Sequence, residues 1–194
     1  MIKPLLSLVT LTLLGTQLLA TTPYANSEDN QKDLIETGHK VSMDLLKTLG
    51  KNMKAHMKKE GPIGAAQFCN VQAYPLTDTV SNKYGKDISV KRISLKYRNP
   101  ANKPEGSEMN IMIALQTLKE NGAKLPPYIL QDADADTVKY YKPLVITKGV
   151  CLKCHGNIEG SKIGNFMKKN YPEDKATHYK MGDLRGAVVV TIKK

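Results

Sequence analysis

The chain has 194 residues and a formal net charge of +11, from 29 Lys and Arg residues against 18 Asp and Glu residues. Its length is enough for one domain with a substantial core. Three of the basic residues are arginines and the rest are lysines. Because proteins that read nucleic-acid bases rely heavily on arginine, this composition argues against nucleic acid as a partner. A lysine-rich surface suits an acidic partner protein or an anionic membrane face, and it also keeps a protein soluble.

The N-terminus predicts a signal peptide, which we assign to residues 1–25, leaving residues 26–194 as one domain. Lys3 is the only charged side chain before Glu28, and the apolar stretch between them, residues 5–19, is interrupted by Ser, Thr and Gln. A basic start followed by a short apolar run is typical of an export signal. The run is too short and too polar for a membrane-spanning helix, which needs about 20 apolar residues. We therefore expect a periplasmic protein, with membrane association only if the signal stays uncleaved.

The next part of the chain predicts helices. Apolar side chains at three- and four-residue spacing indicate one long amphipathic helix over about residues 28–60. Gly61 and the proline after it end this helix, and the proline can begin a second one over about residues 62–74. The second helix carries Cys69 and several small residues, and a further short helix is expected after Pro75.

The pattern then changes to strands. Alternating apolar and polar side chains predict strands at residues 89–95, 128–131, 137–147 and 186–193. One helix, residues 105–121, is predicted between the first and second of these strands, and residues 149–156 are predicted to form a loop. Helices first, followed by strands with a helix among them, indicate an antiparallel α+β fold.

The most informative local pattern is C-x-x-C-H at residues 151–155. It is the attachment signature of a c-type haem. Cys151 and Cys154 can form thioethers with the two vinyl groups of one porphyrin, and His155 can then supply an axial nitrogen to the iron. The alternatives are a C-x-x-C redox pair and half of a zinc site, but the second ligand pair that a zinc site needs is not evident in the sequence. We therefore predict one covalent haem c as the cofactor.

Three blocks of the sequence resemble a family of exported single-haem c-type proteins. The blocks are residues 90–102 (VKRISLKYRNPAN), residues 141–144 (YKPL) leading into residues 151–156 (CLKCHG), and residues 174–177 (DKAT) with residues 182–187 (GDLRGA). The family is catalogued as a domain of unknown function, and in some members it is the sensor part of a larger signalling protein. The resemblance implies a PAS-like antiparallel sheet with a long N-terminal helix, flanking helices and one covalently attached haem.

Members of that family can carry an unusual axial pair, the His of C-x-x-C-H and a Cys on an upstream helix. The resemblance therefore implies that His155 and Cys69 are the iron ligands here. From the residues alone, Cys69 is the one spare thiol, and it is either a buried apolar side chain or a ligand. The competing sixth ligands are three histidines, His39, His56 and His178, and several methionines, Met181 among them, and an open sixth position is a further alternative.

The haem propionates are carboxylates, which arginine binds well. The candidates for contact with them are Arg98, Tyr97, Tyr140 and Arg185, of which the two arginines and Tyr97 fall within the resembling blocks. The alternative for Arg98 is a surface ion pair beside a loop that Asn and Pro residues shape.

Two functions remain open from the sequence. The first is a redox or gas-responsive sensor module, in which displacement of Cys69 would shift its helix and act on a separate signalling partner. The second is a monohaem electron carrier that docks an acidic redox partner through lysines of the long helix, Lys47, Lys51, Lys54 and Lys58. We do not expect an enzyme, because ligation by Cys69 would fill both axial positions.

Overall fold

The computed structural model describes residues 23–194, with side chains from Glu28 onward, so residues 1–22 of the predicted signal peptide lie outside the described residues. The elements are α1 Pro23–Lys83, β1 Ile88–Ile93, α2 Ser107–Glu120, β2 Ile129–Asp132, β3 Thr137–Val145, α3 Gly149–His155, α4 Lys162–Asn170 and β4 Leu184–Lys193, with a 3-10 turn at Pro100–Asn102. The predicted α+β class and long N-terminal helix are confirmed. The four predicted strands and the helix now named α2 are confirmed to within two residues at each end.

Helix α1 consists of two helical segments joined at Gly61. The backbone there has φ 68° and ψ −162°, a conformation that glycine adopts readily because it has no Cβ. The two segments run antiparallel: Lys83 Nζ lies 2.7 Å from Asp44 Oδ2, and the ring of His56 stacks on that of Phe68 with 5.0 Å between centroids. The predicted end of the first helical segment at Gly61 is therefore confirmed.

The second segment of α1 continues through Pro75, so the predicted helix end near Tyr74 is wrong. A proline inside a helix lacks the N–H that would bond the carbonyl four residues earlier. That carbonyl belongs to Val71, a residue that is 62% exposed, so this side of the helix is open to water. On the opposite side, Ala73 and Val80 are buried against the sheet, and this packing stabilises the helix past the proline.

The four strands form one sheet in the order β1–β4–β3–β2, and all neighbouring strands are antiparallel. Helix α1 covers one face, where Leu45 belongs to the same buried cluster as Val190 of β4. Helix α2 covers the other face, where Met112 belongs to a cluster with Val189. Successive side chains of β4 therefore point to opposite faces, as the pleat of a strand requires. The PAS-like character of this sheet stays a prediction from the resemblance.

The predicted loop at residues 149–156 is wrong, because residues 149–155 form the short helix α3. Gly156 ends this helix by donating its N–H to the carbonyl oxygen of Leu152 at 2.8 Å. A Cβ at position 156 would lie 2.7 Å from the same oxygen, so the chain can turn this tightly only at glycine. The glycines on either side of the motif favoured a loop in the sequence, although they mark the two ends of a helix.

Helix α4 is not among the predicted elements. Its N-cap is Ser161, whose Oγ accepts a hydrogen bond from the N–H of Gly164 at 3.1 Å. It buries Ile163 and Met167, four residues apart on one face. Within residues 23–194, no helix has both the length and the apolar character that crossing a bilayer requires.

Candidate functional site

Two connected cavities lie between α1, the sheet and α3. Their volumes are about 280 Å³ and 270 Å³, and together they fall in the range of small-molecule pockets, about 300–1,000 Å³. Both cavities are lined by Met53, Cys69, Leu144, His155 and Arg185. Because they share these walls, we treat them as two lobes of one cleft.

Small side chains widen the cleft on its α1 side. Ala65 and Ala66 line the smaller lobe, whereas Gly50 and Ala73 line the larger one. A Cβ built on Gly50 would meet no atom within 4 Å. The walls at these positions are therefore backbone and methyl groups, which a flat ligand can approach closely.

Cys151 and Cys154 open into this cleft from α3. They are three residues apart on a helix, so their side chains lie on one face. Both line the smaller lobe, together with His155. All three cysteines of the chain are free thiols. The structure therefore brings the whole C-x-x-C-H motif and Cys69 to the same cavity.

The imidazole of His155 is oriented by the backbone. Its Nδ1 lies 2.9 Å from the carbonyl oxygen of Ala176, and because a carbonyl only accepts, Nδ1 must carry the hydrogen. Burial, and next the positive charges of Arg185 and Arg98, lower the pKa of His155 well below 6.5. The ring is therefore neutral at pH 7, and its Nε2 keeps a lone pair for a metal.

Arg98 holds the backbone on both sides of this imidazole. Its Nε donates to Asp174 Oδ2 at 2.9 Å, and its Nη2 donates to the carbonyl oxygens of Cys154 at 2.7 Å and Ala176 at 3.1 Å. Asp174 also accepts from the N–H of Ala176 at 2.7 Å. Arg98 thus ties α3 to the segment whose carbonyl orients His155. This arrangement differs from the alternative of a surface pair, since only 8% of Arg98 is exposed.

Cys69 lies on the second segment of α1 and lines both lobes. Burial raises the pKa of its thiol, although the positive charges of Arg92 and Arg98 oppose the rise. Without a metal the thiol therefore stays protonated at neutral pH. A bound metal cation would favour the thiolate, as it does for other coordinating thiols.

Arg92 lines the cleft but is missing from the candidates that the sequence suggested. On β1 its side chain alternates with that of buried Ile93, which packs on the opposite face of the sheet. Arg92 is therefore directed to the α1 face, where the cleft lies. The alternation along residues 89–95 could have placed it there. Of the predicted arginines, both Arg98 and Arg185 line the cleft.

The two predicted tyrosines do not line the cleft in the described structure. Tyr140 is 1% exposed, stacks on Tyr128 with 5.6 Å between ring centroids, and packs against α1 within the core. Tyr97 is buried under Lys175, whose Nζ lies 4.9 Å from its ring centroid. Both tyrosines therefore have packing roles at these positions.

The alternative sixth ligands named individually, Met181 and the three histidines, lie away from the cleft. Met181 is 52% exposed, His39 and His178 are exposed, and His56 stacks on Phe68 outside the walls of the cleft. Of the other methionines that the sequence left open as ligands, Met53, Met57 and Met167 line the cleft. Of these, Met53 lines both lobes, as Cys69 does.

A zinc site is not assembled in the described part of the chain. Among these residues, no three or more His, Cys, Asp and Glu side chains converge as a metal-binding group, whereas a structural zinc ion takes four such ligands. The donor set of this cleft is one imidazole on α3 and one thiol on α1, with two further thiols on α3.

Comparison with known proteins places the chain in a family. The family model described as Tll0287-like matches residues 16–193. Among solved structures, the crystal structure of the cyanobacterial heme-protein Tll0287 is 28% identical, covers 62% of this chain and 71% of its own, and has a TM-score of 0.49. Comparison with curated proteins gave no significant match. Because the family model spans nearly the whole sequence, this chain belongs to the Tll0287-like family.

Proposed function

We propose that this protein is an exported haem-binding module that carries one haem c, attached through Cys151 and Cys154, with His155 and Cys69 as axial ligands. The observation that carries the proposal is that these four side chains line one cleft. Spacing along the sequence accounts for three of them, but Cys69 reaches the cleft only through the fold.

Family membership supports this proposal. The protein whose name the family bears is described as a cyanobacterial heme-protein, and its family model matches residues 16–193 here. The residues of the cleft fit such a group: two thiols on one helical face can form thioethers with a haem, and the lone pair on His155 Nε2 and the thiol of Cys69 are donors that haem iron accepts.

The bound haem would supply a redox-active iron, and the chain would hold, orient and tune it. Cys151 and Cys154 would hold the haem by addition of their S–H groups across its two vinyl groups, which needs no oxidant. His155 is kept in one tautomer by Ala176, and Cys69, as a thiolate, favours the ferric state. Displacement of water from the cleft by the bound haem would strengthen every electrostatic interaction inside it.

Within this proposal, a redox or gas-responsive sensor is the function that the geometry supports best. The two proposed axial ligands lie on different elements, His155 on α3 and Cys69 on α1. If His155 and Cys69 both bind the haem iron, the haem connects α3 to α1. Release of Cys69 would remove that connection from the second segment of α1, which begins after Gly61. A signalling partner that contacts α1 would then detect the change.

Electron transfer is the second candidate, and a specific surface favours it. We call this surface the lysine groove; it is lined by Lys47, Lys51, Lys54, Lys58 and Lys148 and has a volume of about 850 Å³. It shares Leu46 and Gly50 with the cleft. An acidic redox partner in this groove would therefore sit directly over the cleft wall at Gly50.

The first experiment is intact-mass measurement of the protein exported by a host that matures c-type cytochromes. We expect the mass of the processed polypeptide plus one haem, and we expect the haem to resist acid–acetone extraction. Cys151→Ala and Cys154→Ala should each retain at most one thioether. Haem that is fully extracted from the wild-type protein would contradict covalent attachment.

A second experiment separates the sensor from the carrier. Reduction or NO binding should increase hydrogen exchange in the second segment of α1, residues 62–83, if Cys69 is released. The matched control is Cys69→Ala, in which this segment should exchange equally in both states. Unchanged exchange in the wild-type protein, together with fast electron transfer to anionic oxidants, would favour the carrier.

A further inference from the structure

Three arginine side chains line the cleft, and two of them have no carboxylate partner among the described residues. Arg92, Arg98 and Arg185 all line it, and Arg98 forms an ion pair with Asp174. Within residues 28–194, neither Arg92 nor Arg185 has a carboxylate at ion-pair distance, and no Asp or Glu lines the cleft. Two guanidinium groups are thus left without an anionic partner among the described residues.

These two charges are partly buried, which makes a missing partner costly. Burial lowers the pKa of both arginines, and the positive charges of Arg98 and Arg92 lower that of Arg185 further. Arg185 makes only neutral contacts: its Nη1 donates to Ser94 Oγ at 2.9 Å, and its Cζ lies 5.4 Å from the ring centroid of Tyr179. An anionic ligand would relieve this accumulation of like charge.

The larger lobe has polar and apolar walls that match such a ligand. Its polar residues are Arg92, Ser94, Asn102, His155 and Arg185, and its apolar ones include Leu46, Leu49, Met53 and Phe68. The polar groups are linked, because Ser94 donates its N–H to the carbonyl oxygen of Asn102 at 3.0 Å and its Oγ accepts from Arg185. A flat apolar ligand with two carboxylates on one edge suits this lobe.

We propose that Arg92 and Arg185 bind the two propionate carboxylates of the haem and that Arg98 is a positioning residue for His155. This inference rests on the proposed function and deepens it. It gives Arg92 a role that the sequence did not suggest, and it distinguishes Arg185 from Arg98 by the groups that each guanidinium contacts. Arg98 has its guanidinium committed to Asp174 and two carbonyls.

One competing role for Arg92 lies in its neighbour Cys69, whose thiolate it would stabilise. The positive charge of Arg92 lowers the pKa of Cys69, against the larger effect of burial. A thiolate partner would leave one propionate without arginine. The two roles are distinguishable, because binding of a carboxylate by Arg92 does not require Cys69.

The test uses the full chain purified without haem and two probes, zinc protoporphyrin IX and its dimethyl ester, with affinities measured by fluorescence. The wild-type protein should bind the diacid more tightly than the ester. Arg92→Gln and Arg185→Gln should each weaken diacid binding about tenfold, the loss expected for one hydrogen bond to a charged group. Ester binding should stay unchanged, which also verifies that each variant folds. Arg92→Lys should recover part of the diacid affinity.

The outcomes separate this inference from the proposed function. Equal affinity for diacid and ester, in wild type and variants alike, would overturn the propionate assignment and leave haem binding intact. If Arg92→Gln weakens diacid binding in the wild-type background but not in a Cys69→Ala background, Arg92 would act on the thiolate, and the propionate assignment would again be overturned. Binding of neither porphyrin would overturn the proposed function together with this inference. Arg98→Lys is the control, and it should affect diacid and ester equally.

Discussion

The Nδ1 of His155 lies 2.9 Å from the carbonyl oxygen of Ala176, and Arg98 donates to that same oxygen at 3.1 Å. One backbone carbonyl therefore accepts both the hydrogen that fixes the imidazole tautomer and a hydrogen from the arginine that ties α3 in place. The orientation of the candidate axial ligand depends on this segment, residues 174–176, which lies 19 or more positions beyond His155 in the chain.

The first prediction concerns the ion pair that supports this arrangement. Asp174→Asn leaves the guanidinium of Arg98 buried without its counter-charge, so we expect a loss of about 3–5 kcal/mol in the free energy of unfolding, measured with urea. Asp132→Asn is the matched control, because its pair with Lys194 is exposed and should contribute under about 1 kcal/mol. Equal effects of the two substitutions would show that the Arg98 pair does not hold the site.

The second prediction is a pH dependence that originates at Glu108. This carboxylate is 1% exposed and accepts from Lys139 and Lys91, each at 2.9 Å. Burial alone would raise its pKa, but the hydrogen bonds from Lys139 and Lys91 outweigh burial and lower the pKa below 4.5. A lowered pKa stabilises the folded state above pH 4.5, and that stabilisation is lost as the pH falls through the folded value.

Glu108→Gln should therefore reduce the free energy of unfolding by about 1–3 kcal/mol at pH 7, with a difference from wild type that shrinks below pH 4. Urea unfolding at the two pH values measures this. Glu120→Gln, on the exposed side of the same helix, should change little at either pH. A Glu108→Gln deficit that is independent of pH would mean that packing, not charge, accounts for the effect.

Much of this architecture follows from local patterns in the sequence. Hydrophobic spacing located the first segment of α1 and helix α2, and alternation located the four strands, because these signals depend on near neighbours. Pro75 misled the prediction, since its effect depends on whether water reaches the carbonyl it leaves unpaired. The local signals for helix α4 are Ser161 as its N-cap and the four-residue spacing of Ile163 and Met167.

The sequence likewise predicts one part of the candidate site and not the rest. C-x-x-C-H is contiguous, so it identifies residues 151–155 directly. Cys69 is distant from this motif in sequence, so the residues alone mark it only as the spare thiol, and its role as a ligand is implied by the resemblance. The roles of the arginines could not be assigned, because the sequence does not show that Asp174 pairs with Arg98. Tyr140 is adjacent to a resembling block in sequence, yet the pleat of β3 directs it into the core beneath Gly38.

The third prediction tests that packing. A Cβ at Gly38 would collide with the ring of Tyr140, which cannot shift easily because it stacks on Tyr128. Gly38→Ala should therefore lower the free energy of unfolding by about 1–3 kcal/mol, as overpacking does. Thr37→Ala, one residue earlier and half-buried, should stay within about 0.5 kcal/mol of wild type. A Gly38→Ala variant as stable as wild type would contradict the close approach of α1 to β3.

The fourth prediction concerns the lysine groove. Oxidation of the reduced protein by ferricyanide, an anion, should slow as salt rises, because charges are screened within about 10 Å at 0.1 M. A double variant in the groove, Lys51→Gln and Lys54→Gln, should be oxidised several-fold more slowly at low salt. The control is a double variant outside the groove, Lys119→Gln and Lys124→Gln, which should be oxidised at the wild-type rate. Stopped-flow kinetics with a cationic cobalt complex should show the opposite salt dependence. The same response to both oxidants would leave the groove as a merely solvated surface.

The most direct test of the central claim is the EPR spectrum of the ferric protein compared with that of Cys69→Ala. A thiolate donates strongly to iron and stabilises the ferric state, unlike methionine, which raises the potential. We expect a low-spin thiolate signal in the wild-type protein. The Cys69→Ala variant should lose this signal, have a higher midpoint potential than the wild type, and bind CO at its open sixth position. Identical ferric spectra and potentials in the two proteins would show that Cys69 is only a buried thiol and would contradict the axial pair of His155 and Cys69.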